Sequence, residues 1–319
     1  MTGSQGYGVN LSVVIPVFNE ESSIGLFLDR ISHVLDAHEE IFVEFVFVND
    51  GSTDCTLRNL LLHQKCDARI KIIDLSRNFG KEAALTAGIQ AAVGDVIVPI
   101  DVDLQDPPEL ILDMLDKWRE GYEVVLARRI NRDSDSWTKR TFSKLFYWVH
   151  NRIANPRIPE NVGDYRLMDR CVIEALKQLP ESHRFMKGLF SWVGFRTACI
   201  DYVRPCRAAG VTKFDGWKLW NFALEGVTSF STDPLRVWTY LGFFVSLVSF
   251  LFAVYIVARV LIHGADVPGY ASLIVAVTFL GGLQLIGIGV IGEYLGRTYI
   301  ESKRRPVFLV RRVYEASEE

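Results

Sequence analysis

The sequence lacks the cysteine pattern of a disulfide-stabilised or zinc-binding protein. It contains five cysteines, an odd number, and no two of them form a CxxC pair. Small secreted domains and structural zinc sites both depend on paired or clustered cysteines. We therefore expect no disulfide framework, and a reducing compartment for the bulk of the chain.

An excess of charge of one sign is also missing. The formal net charge is −3, from 35 Lys and Arg against 38 Asp and Glu, so no overall basic field is present to hold nucleic acid. The first ten residues, MTGSQGYGVN, lack the cationic start and apolar run of a signal peptide. Neither GxGxxG after the first apolar segment nor GxxxxGK[ST] occurs, which disfavours a dinucleotide fold and a P-loop.

What the sequence does contain is two long uncharged runs near its carboxyl end. They cover residues 237–258 and 267–292, with lengths of 22 and 26 residues. A helix needs about 20 apolar residues to cross a bilayer. The runs predict two transmembrane helices, at about 237–260 and 269–292. Buried core helices are the alternative. That interpretation is weaker, because two such runs in succession are unusual in a soluble domain.

The basic residues around these runs predict their orientation. The connection between the runs holds only Arg259, whereas Arg236 precedes the first run and a cluster follows the second: Arg297, Lys303, Arg304, Arg305, Arg311 and Arg312. Because Lys and Arg favour the cytoplasmic side, the two runs and their flanks predict a multi-pass membrane protein. The amino-terminal part and the tail at 297–319 would both be cytoplasmic. Gly292 and Gly296 permit close helix approach, within the hairpin or between subunits.

The amino-terminal part alternates strand-like and helix-like segments. The predicted strands are 11–18, 41–50, 70–76 and 95–103, and the predicted helices are 20–38, 54–65, 80–93 and one after Pro108. Near-continuous Val and Ile runs between helices are typical of a parallel sheet that is buried on both faces. We expect a cytoplasmic α/β domain over 1–209, then an interfacial amphipathic segment over 210–236.

Each predicted strand ends in a polar stretch. These stretches are PVFNEE, VNDGSTD, LSRNFGKE and DVDLQD, and they hold Glu20, Asp50, Arg77, Lys81, Asp101 and Asp103. Ligands of such sheets bind beyond the carboxyl ends of the strands, so the pattern predicts one shared site. Paired carboxylates there suit a hard divalent cation that also binds phosphates. A turn or helix-cap role, as for Asp106 before Pro107, is the alternative.

A family resemblance is carried by five motifs in order: PVFNEE, VNDGSTD, SRNFGKEAALTAG, DVDLQDPPE and GDYRLMD, followed by the two apolar runs. Together they resemble the membrane-bound polyprenyl-phosphate glycosyltransferases over almost the whole chain. The bacterial bactoprenol glucosyltransferases look most similar, and the dolichyl-phosphate mannose synthases are related to them. The resemblance implies an α/β GT-A domain with a mainly parallel sheet, plus a two-helix transmembrane hairpin.

The resemblance also implies site residues. Asp101, Asp103 and the amide oxygen of Gln105 would hold Mg²⁺ or Mn²⁺, and Asp103 and Asp164 would be catalytic. Asp164 could equally be a turn residue after Gly163. The nucleotide-sugar would contact Pro16, Phe18, Glu20, Val48, Asp50, Lys81, Asp101 and Val102.

On the acceptor side, a basic stretch runs over 126–144. The resemblance implies that Arg129 and Lys139 with Ser143 hold the acceptor phosphate, and Arg140 could replace Lys139. A solvated basic loop is the alternative. Arginine suits phosphate oxygens because its guanidinium forms paired hydrogen bonds.

The activity implied is inverting transfer of a sugar, with glucose expected, from a UDP-sugar to undecaprenyl phosphate at the bilayer, by a homotetramer. A processive polysaccharide synthase is a rival interpretation, but its QxxRW motif is absent. A membrane scaffold or lipid-carrier translocator is another rival, and it would leave the site motifs without a role. The sequence leaves open glucose, mannose or an aminosugar.

Overall fold

A computed structural model of the chain describes residues 8–130, 161–181, 184, 186–203, 233–263 and 269–315. Within these residues, eight strands form one sheet. The strands are β1 (Val9–Val17), β2 (Ile41–Asn49), β3 (Ile70–Leu75), β4 (Val96–Pro99), β5 (Val124–Arg129), β6 (Val162–Asp169), β7 (Thr197–Tyr202) and β8 (Val310–Tyr314).

The sheet has the order β7-β5-β6-β4-β1-β2-β3-β8. Its centre is parallel, because β1 pairs with β2 and β4 in the same direction and β2 pairs likewise with β3. β6 lies antiparallel between β4 and β5, while β7 runs parallel to β5. β8 adds an antiparallel edge to β3. The expectation of a mainly parallel sheet is confirmed for the four amino-terminal strands.

Helices cover both faces of the sheet. They are α1 (Ile24–Leu35), α2 (Thr56–Gln64), α3 (Lys81–Ala91), α4 (Leu110–Arg119), α5 (Arg170–Lys177) and α6 (Met186–Trp192). One apolar cluster joins the sheet to α1, α2 and α4, and a second joins it to α3, α5 and α6. This double covering is why the central strands read as continuous apolar runs rather than alternating ones.

Three features differ from the sequence expectation. β4 ends at Pro99, not at residue 103, because the chain turns there and Leu104 adopts a positive φ of 54°. Asp164 lies inside strand β6 and not in a turn. The segment expected to be a tail contains β8, which completes the sheet edge at β3.

Two long helices follow the α/β part: α7 (Asp233–His263) and α8 (Tyr270–Ser302). They span the two predicted apolar runs. Among the described residues, one stretch is long and apolar enough to cross a membrane, Phe279–Ser302 with a mean hydropathy of 1.4, and a shorter apolar stretch covers Tyr240–Phe252. The described helices therefore fit a hairpin, of which one helix meets the length and hydropathy of a span.

Close packing of α3 on the sheet depends on Gly88. A Cβ at this position would lie 2.3 Å from Val14 Cγ1 and 3.1 Å from Val48 Cγ2. We expect Gly88→Val to destabilise the protein by about 1–3 kcal/mol through overpacking. Thermal unfolding in detergent measures this as a lower Tm. Gln90→Val, on the exposed side of the same helix, is the matched control and should change stability by less than about 0.5 kcal/mol. Equal Tm values for the two variants would contradict the packing argument.

Candidate functional site

A cavity of about 290 Å³ opens at the carboxyl ends of the parallel strands. Its walls come from the ends of β1 and β2, the start of α3 and the turn after β4. The lining residues are Pro16, Val17, Phe18, Glu20, Asp50, Asn78, Gly80, Lys81, Ala84, Asp101, Val102 and Asp103. The shared site that the polar strand ends predicted is thus present as one cavity.

Side-chain hydrogen bonds fix the loop after β1. Asn19 has a positive φ of 56°, its backbone N–H donates to Ser52 Oγ over 3.0 Å, and its Oδ1 accepts from the Thr53 N–H over 2.9 Å. The Glu20 N–H donates to Thr56 Oγ1 over 2.9 Å. Asn tolerates this backbone region better than most residues. The loop after β1 is thereby tied to the loop after β2.

Asp50, just after β2, fixes the loop that leads from β3 into α3. Its carboxylate accepts hydrogen bonds from the Phe79 N–H over 2.7 Å and the Gly80 N–H over 2.9 Å. Burial raises the pKa of Asp50, against the opposing effect of these two N–H groups. Gly51 has a φ of 66°, and a Cβ on it would lie 2.4 Å from the Arg77 carbonyl carbon. The loops at 50–52 and 77–80 are therefore packed backbone against backbone.

The turn after β4 presents oxygen atoms to the cavity. Asp101 and Asp103 line it, and the Gln105 N–H donates to Asp103 Oδ1 over 3.2 Å. The side chain of Gln105 is buried, and its amide nitrogen has no hydrogen-bond partner among the residues that the structure describes. The oxygen and nitrogen of an amide exchange places when the group rotates by half a turn. The Gln105 amide can therefore turn its oxygen toward a cation.

These three residues fit a divalent metal of the hard type. No group of three or more His, Cys, Asp or Glu side chains among the described residues is arranged to hold an ion. Mg²⁺ commonly needs only one or two protein carboxylates, because substrate phosphates complete its shell. Two carboxylates on the wall of an open cavity, with the buried amide of Gln105 in the same turn, match that requirement.

Lys81 joins Asp101, in the turn after β4, to Asp164 in strand β6. Its Nζ lies 2.7 Å from Asp101 Oδ1 and 3.0 Å from Asp164 Oδ2. Burial acts to lower the pKa of Lys81, but the two carboxylates outweigh it and raise that pKa above its ordinary value. Burial would raise the pKa of Asp164, and Lys81 and Lys187 outweigh burial there, so it lies below the ordinary value. Asp164 is therefore an ionised carboxylate at neutral pH.

Behind Asp164 lies a second layer of buried charge. Arg166 is 4% exposed, donates through Nη2 to the Gly163 carbonyl over 2.7 Å and lies over the Phe190 ring. Burial lowers its pKa to about 10. Burial, reinforced by Asp164, raises the pKa of Glu82 to about 7, while Glu82 Oε2 accepts from the Met186 N–H.

Arg129 reaches the same edge of the sheet from the other face. Its Nε donates to Tyr202 Oη over 3.1 Å, and the Tyr202 hydroxyl donates to Asp106 Oδ1. Burial acts to lower the pKa of Arg129, but the neighbouring Tyr202, Asp106 and Asp101 outweigh it and raise that pKa. Arg129 is thus a fixed, fully charged guanidinium close to the turn after β4.

Eight of the predicted site residues line the cavity: Pro16, Phe18, Glu20, Asp50, Lys81, Asp101, Val102 and Asp103. Five further predicted residues that the structure describes do not: Val48, Arg77, Gln105, Arg129 and Asp164. Val48 is fully buried in the apolar cluster under α3 and does not line the cavity, and Gln105 lies beneath the turn. Lys139, Arg140 and Ser143 lie outside the described residues. The sequence reasoning did not single out the cavity residues Asn78 and Gly80, although they fall in a polar strand end that it identified.

Known proteins match the chain in both its parts. The model of the family described as glycosyl transferase family 2 matches residues 12–177, and that of the GtrB C-terminal hairpin matches residues 233–298. The first match covers the strands, helices and turns that build the cavity. The chain belongs to glycosyl transferase family 2.

Similar proteins extend this assignment over nearly the full length. An uncharacterized glycosyltransferase from Synechocystis sp. is 53% identical over 302 residues, which are 95% of each chain. A prophage bactoprenol glucosyl transferase homolog from Escherichia coli is 51% identical and covers 96% of this chain and 99% of its own. The bactoprenol glucosyl transferase of Shigella phage SfV is 51% identical, over 95% and 98% of the two chains.

A solved structure supports the fold. The glucosyl-3-phosphoglycerate synthase from Mycobacterium tuberculosis, in complex with Mn²⁺, UDP and phosphoglyceric acid, has a TM-score of 0.50 at 20% identity. The match covers 69% of this chain and 77% of that one. The GT-A-like fold expected from the sequence is confirmed. The hairpin match and the apolar helix together indicate that this family-2 enzyme is associated with a membrane.

The raised pKa of Glu82 predicts a pH-dependent stability. A carboxyl whose folded pKa is above its unfolded value stabilises the fold fully below about pH 4.5, and that contribution is lost as the pH rises through about 7. Glu82→Gln should remove this loss, and so gain stability relative to the wild type between pH 5 and pH 8, by up to about 3 kcal/mol.

Thermal unfolding of both proteins across this pH range measures the effect. Glu120→Gln is the control, since the Glu120 side chain is exposed and pairs with Lys117 at the surface. A Tm difference between wild type and Glu82→Gln that stays constant with pH would show that Glu82 does not titrate in this range.

Proposed function

We propose that this protein transfers glucose from UDP-glucose to undecaprenyl phosphate at the cytoplasmic face of the bacterial inner membrane. The observation that carries the proposal is the cavity at the strand ends, with Asp101 and Asp103 on its wall, in a chain that continues into a membrane hairpin. Relatives named bactoprenol glucosyl transferase, similar over nearly their whole length, support the sugar and the lipid class.

On the donor side, the cavity would take the nucleotide between the loops after β1, β2 and β3. Asp101, Asp103 and Gln105 would hold Mg²⁺ or Mn²⁺, which when bound neutralises charge on the departing diphosphate. Phe18 is 45% exposed at the cavity mouth, where an aromatic ring can stack on a base. Asp50, whose carboxylate is held by two backbone N–H groups, lies at the depth where a ribose would sit.

In the reaction itself, an oxygen of the acceptor phosphate attacks the anomeric carbon. The new carbon–oxygen bond forms on the face opposite the bond to UDP, which breaks, so the configuration inverts. A phosphate monoester has a second pKa of about 6, and the nucleophile is already anionic at neutral pH. The lowered pKa of Asp164 makes its ionised carboxylate a weak base. We therefore assign Asp164 a positioning role, in which the Lys81 ammonium holds both Asp164 and Asp101.

The acceptor side would be built around Arg129, with Lys139 or Arg140 and Ser143 from the basic stretch. The catalytic domain and the carboxyl-terminal residues would both be cytoplasmic, because Arg236 precedes the first apolar run and a cluster of basic residues follows the second. The family resemblance adds a homotetramer to the proposal. A sugar panel would separate glucose from mannose or an aminosugar.

The first test is a transfer assay with UDP-glucose and undecaprenyl phosphate in detergent. We expect metal-dependent release of UDP with formation of the glycolipid, and loss of both in EDTA. Asp103→Asn should lower transfer by roughly a hundredfold or more, because the transition-state charge loses stabilisation. Asp116→Asn, at the exposed face of α4 beside Arg119, is the control and should be fully active. Undiminished activity in EDTA would refute the metal assignment.

A second test assigns Arg129. Arg129→Ala should raise the apparent constant for undecaprenyl phosphate about ten- to a hundredfold, because a charge-assisted hydrogen bond of about 1.5–3 kcal/mol is lost. Arg129→Lys should recover only part, since lysine lacks the paired donors. The neighbouring Arg128 makes the control Arg128→Ala, because its side chain pairs with Asp201 on the opposite face.

Steady-state kinetics with each substrate varied, together with UDP binding by calorimetry, separates the two sides of the site. If Arg129→Ala weakened UDP binding and left the acceptor constant unchanged, the arginine would belong to the donor diphosphate.

A further inference from the structure

The last strand of the sheet comes from beyond the membrane hairpin. Only residues 303–309 separate the end of α8 from β8, which lies antiparallel on β3. The Ser76 N–H donates to the Leu309 carbonyl over 2.9 Å, and Gln64 Nε2 donates to the Tyr314 carbonyl over 2.9 Å. Besides its pairing with β3, the segment after the hairpin is thus bonded to the residue that follows β3 and to the last residue of α2.

Arg311 is the irregular residue of this pairing. The register shifts there, because Asp74 faces Arg312 while Leu75 faces Val310. A bulge of this kind redirects a side chain, and here it brings the guanidinium, which stays 58% exposed, against the buried carboxylate of Asp74. Arg311 Nη2 donates to the Ser76 carbonyl over 2.7 Å, and Nη1 lies 3.4 Å from Asp74 Oδ2.

Asp74 connects Arg311 to residues near the cavity. Its side chain is 1% exposed, and its Oδ1 accepts from Asn49 Nδ2 over 2.8 Å. Asn49 Oδ1 accepts in turn from the Ser52 N–H over 3.2 Å. Asn49 immediately precedes Asp50, whose carboxylate holds the backbone of Phe79 and Gly80.

Two loops, 50–52 and 77–80, form what we call the donor wall of the cavity. Arg311 acts on both of them through intermediate residues. Through Asp74 and Asn49 it reaches the loop at 50–52. Through the Ser76 carbonyl it holds the residue just before the loop at 77–80. Gly51 packs directly on the backbone of Arg77, so a shift of one loop displaces the other.

We propose that Arg311 is a positioning residue for the donor nucleotide, and that β8 braces the donor wall of the cavity from the membrane-proximal end of the chain. The inference rests on the proposed function only in taking a uridine diphosphate as the ligand of the cavity. Without Arg311, the buried carboxylate of Asp74 loses its cationic partner, and a buried charge without one is costly. The Asp74–Asn49 pair then rearranges, and Asp50 with its two N–H donors moves with it.

The experiment compares UDP binding by full-length Arg311→Ala with that of the wild type, by calorimetry in detergent with Mn²⁺. We expect the UDP dissociation constant and the donor KM to rise roughly tenfold, at the lower end of the loss seen when an outer partner of a metal ligand is removed, because Arg311 acts only through Asp74, Asn49 and Ser76. The acceptor KM, and kcat at saturating donor, should stay within about twofold. Arg311→Lys, which can reach only one of the two partners, should show an intermediate loss.

Arg312→Ala is the matched control. Its guanidinium lies over the Tyr314 ring and takes no part in the contacts to Asp74 and Ser76, so UDP affinity should be unchanged. A lower Tm with unaltered UDP affinity in Arg311→Ala would reduce Arg311 to a purely structural role and overturn the proposal. So would an equal loss in Arg312→Ala. Should Arg311→Ala fail to fold, unchanged UDP affinity in Arg311→Lys would overturn it equally.

Failure of the proposed function would be seen elsewhere. It would show in the wild type, as an absence of glycolipid product from UDP-glucose and undecaprenyl phosphate. The comparison of the Arg311 and Arg312 variants uses UDP alone, and so it does not depend on which sugar or acceptor the enzyme uses.

Discussion

The ammonium of Lys81 between Asp101 and Asp164 is the contact on which the geometry of the site depends. It comes from the first residue of α3, and it joins the turn after β4 to strand β6. Those two carboxylates would repel each other without a shared cation. Because the Lys81 ammonium sits at the start of a helix packed by Gly88 against β1 and β2, the distance between Asp101 and Asp164 is set by the core itself.

Strand β6 contributes side chains to both faces of the sheet. Successive side chains of a strand point to opposite faces, so Asp164 joins the charged layer under α3 and α6 while Tyr165 joins the apolar cluster on the other side. The Tyr165 hydroxyl donates to the Pro107 carbonyl over 2.8 Å, and its ring lies edge-on to Tyr202. Tyr202 in turn holds Arg129. The turn after β4 is therefore held by Tyr165 from one face of the sheet, and Lys81 links it to Asp164 on the other face.

The sequence was informative wherever the cause of the structure is local. Apolar runs and helical spacing predicted β1 to β4 and α1 to α3, and the polar strand ends predicted a single cavity that holds Glu20, Asp50, Lys81 and Asp101. The bulk of this comes from contacts within a few residues along the chain, or from a rule that applies to every parallel sheet.

The antiparallel strands were harder to predict, because their pairing joins distant parts of the chain. β6 lies between β4 and β5, and the contact of Tyr202 with Asp106 spans 96 residues. The contact of Arg311 with Asp74 spans 237. No local pattern marks such partners. Val48, which the family resemblance implies for the donor site, is fully buried in apolar packing and does not line the cavity.

The order of the strands along the chain has a consequence for biogenesis. Strand β3 is made early, but its neighbour β8 leaves the ribosome only after α7 and α8. Until then the edge of β3 has unpaired backbone groups, and such edges invite pairing with other chains. Synthesis of the two long helices thus precedes closure of the sheet, and the edge of β3 can pair only when nearly the whole chain has left the ribosome.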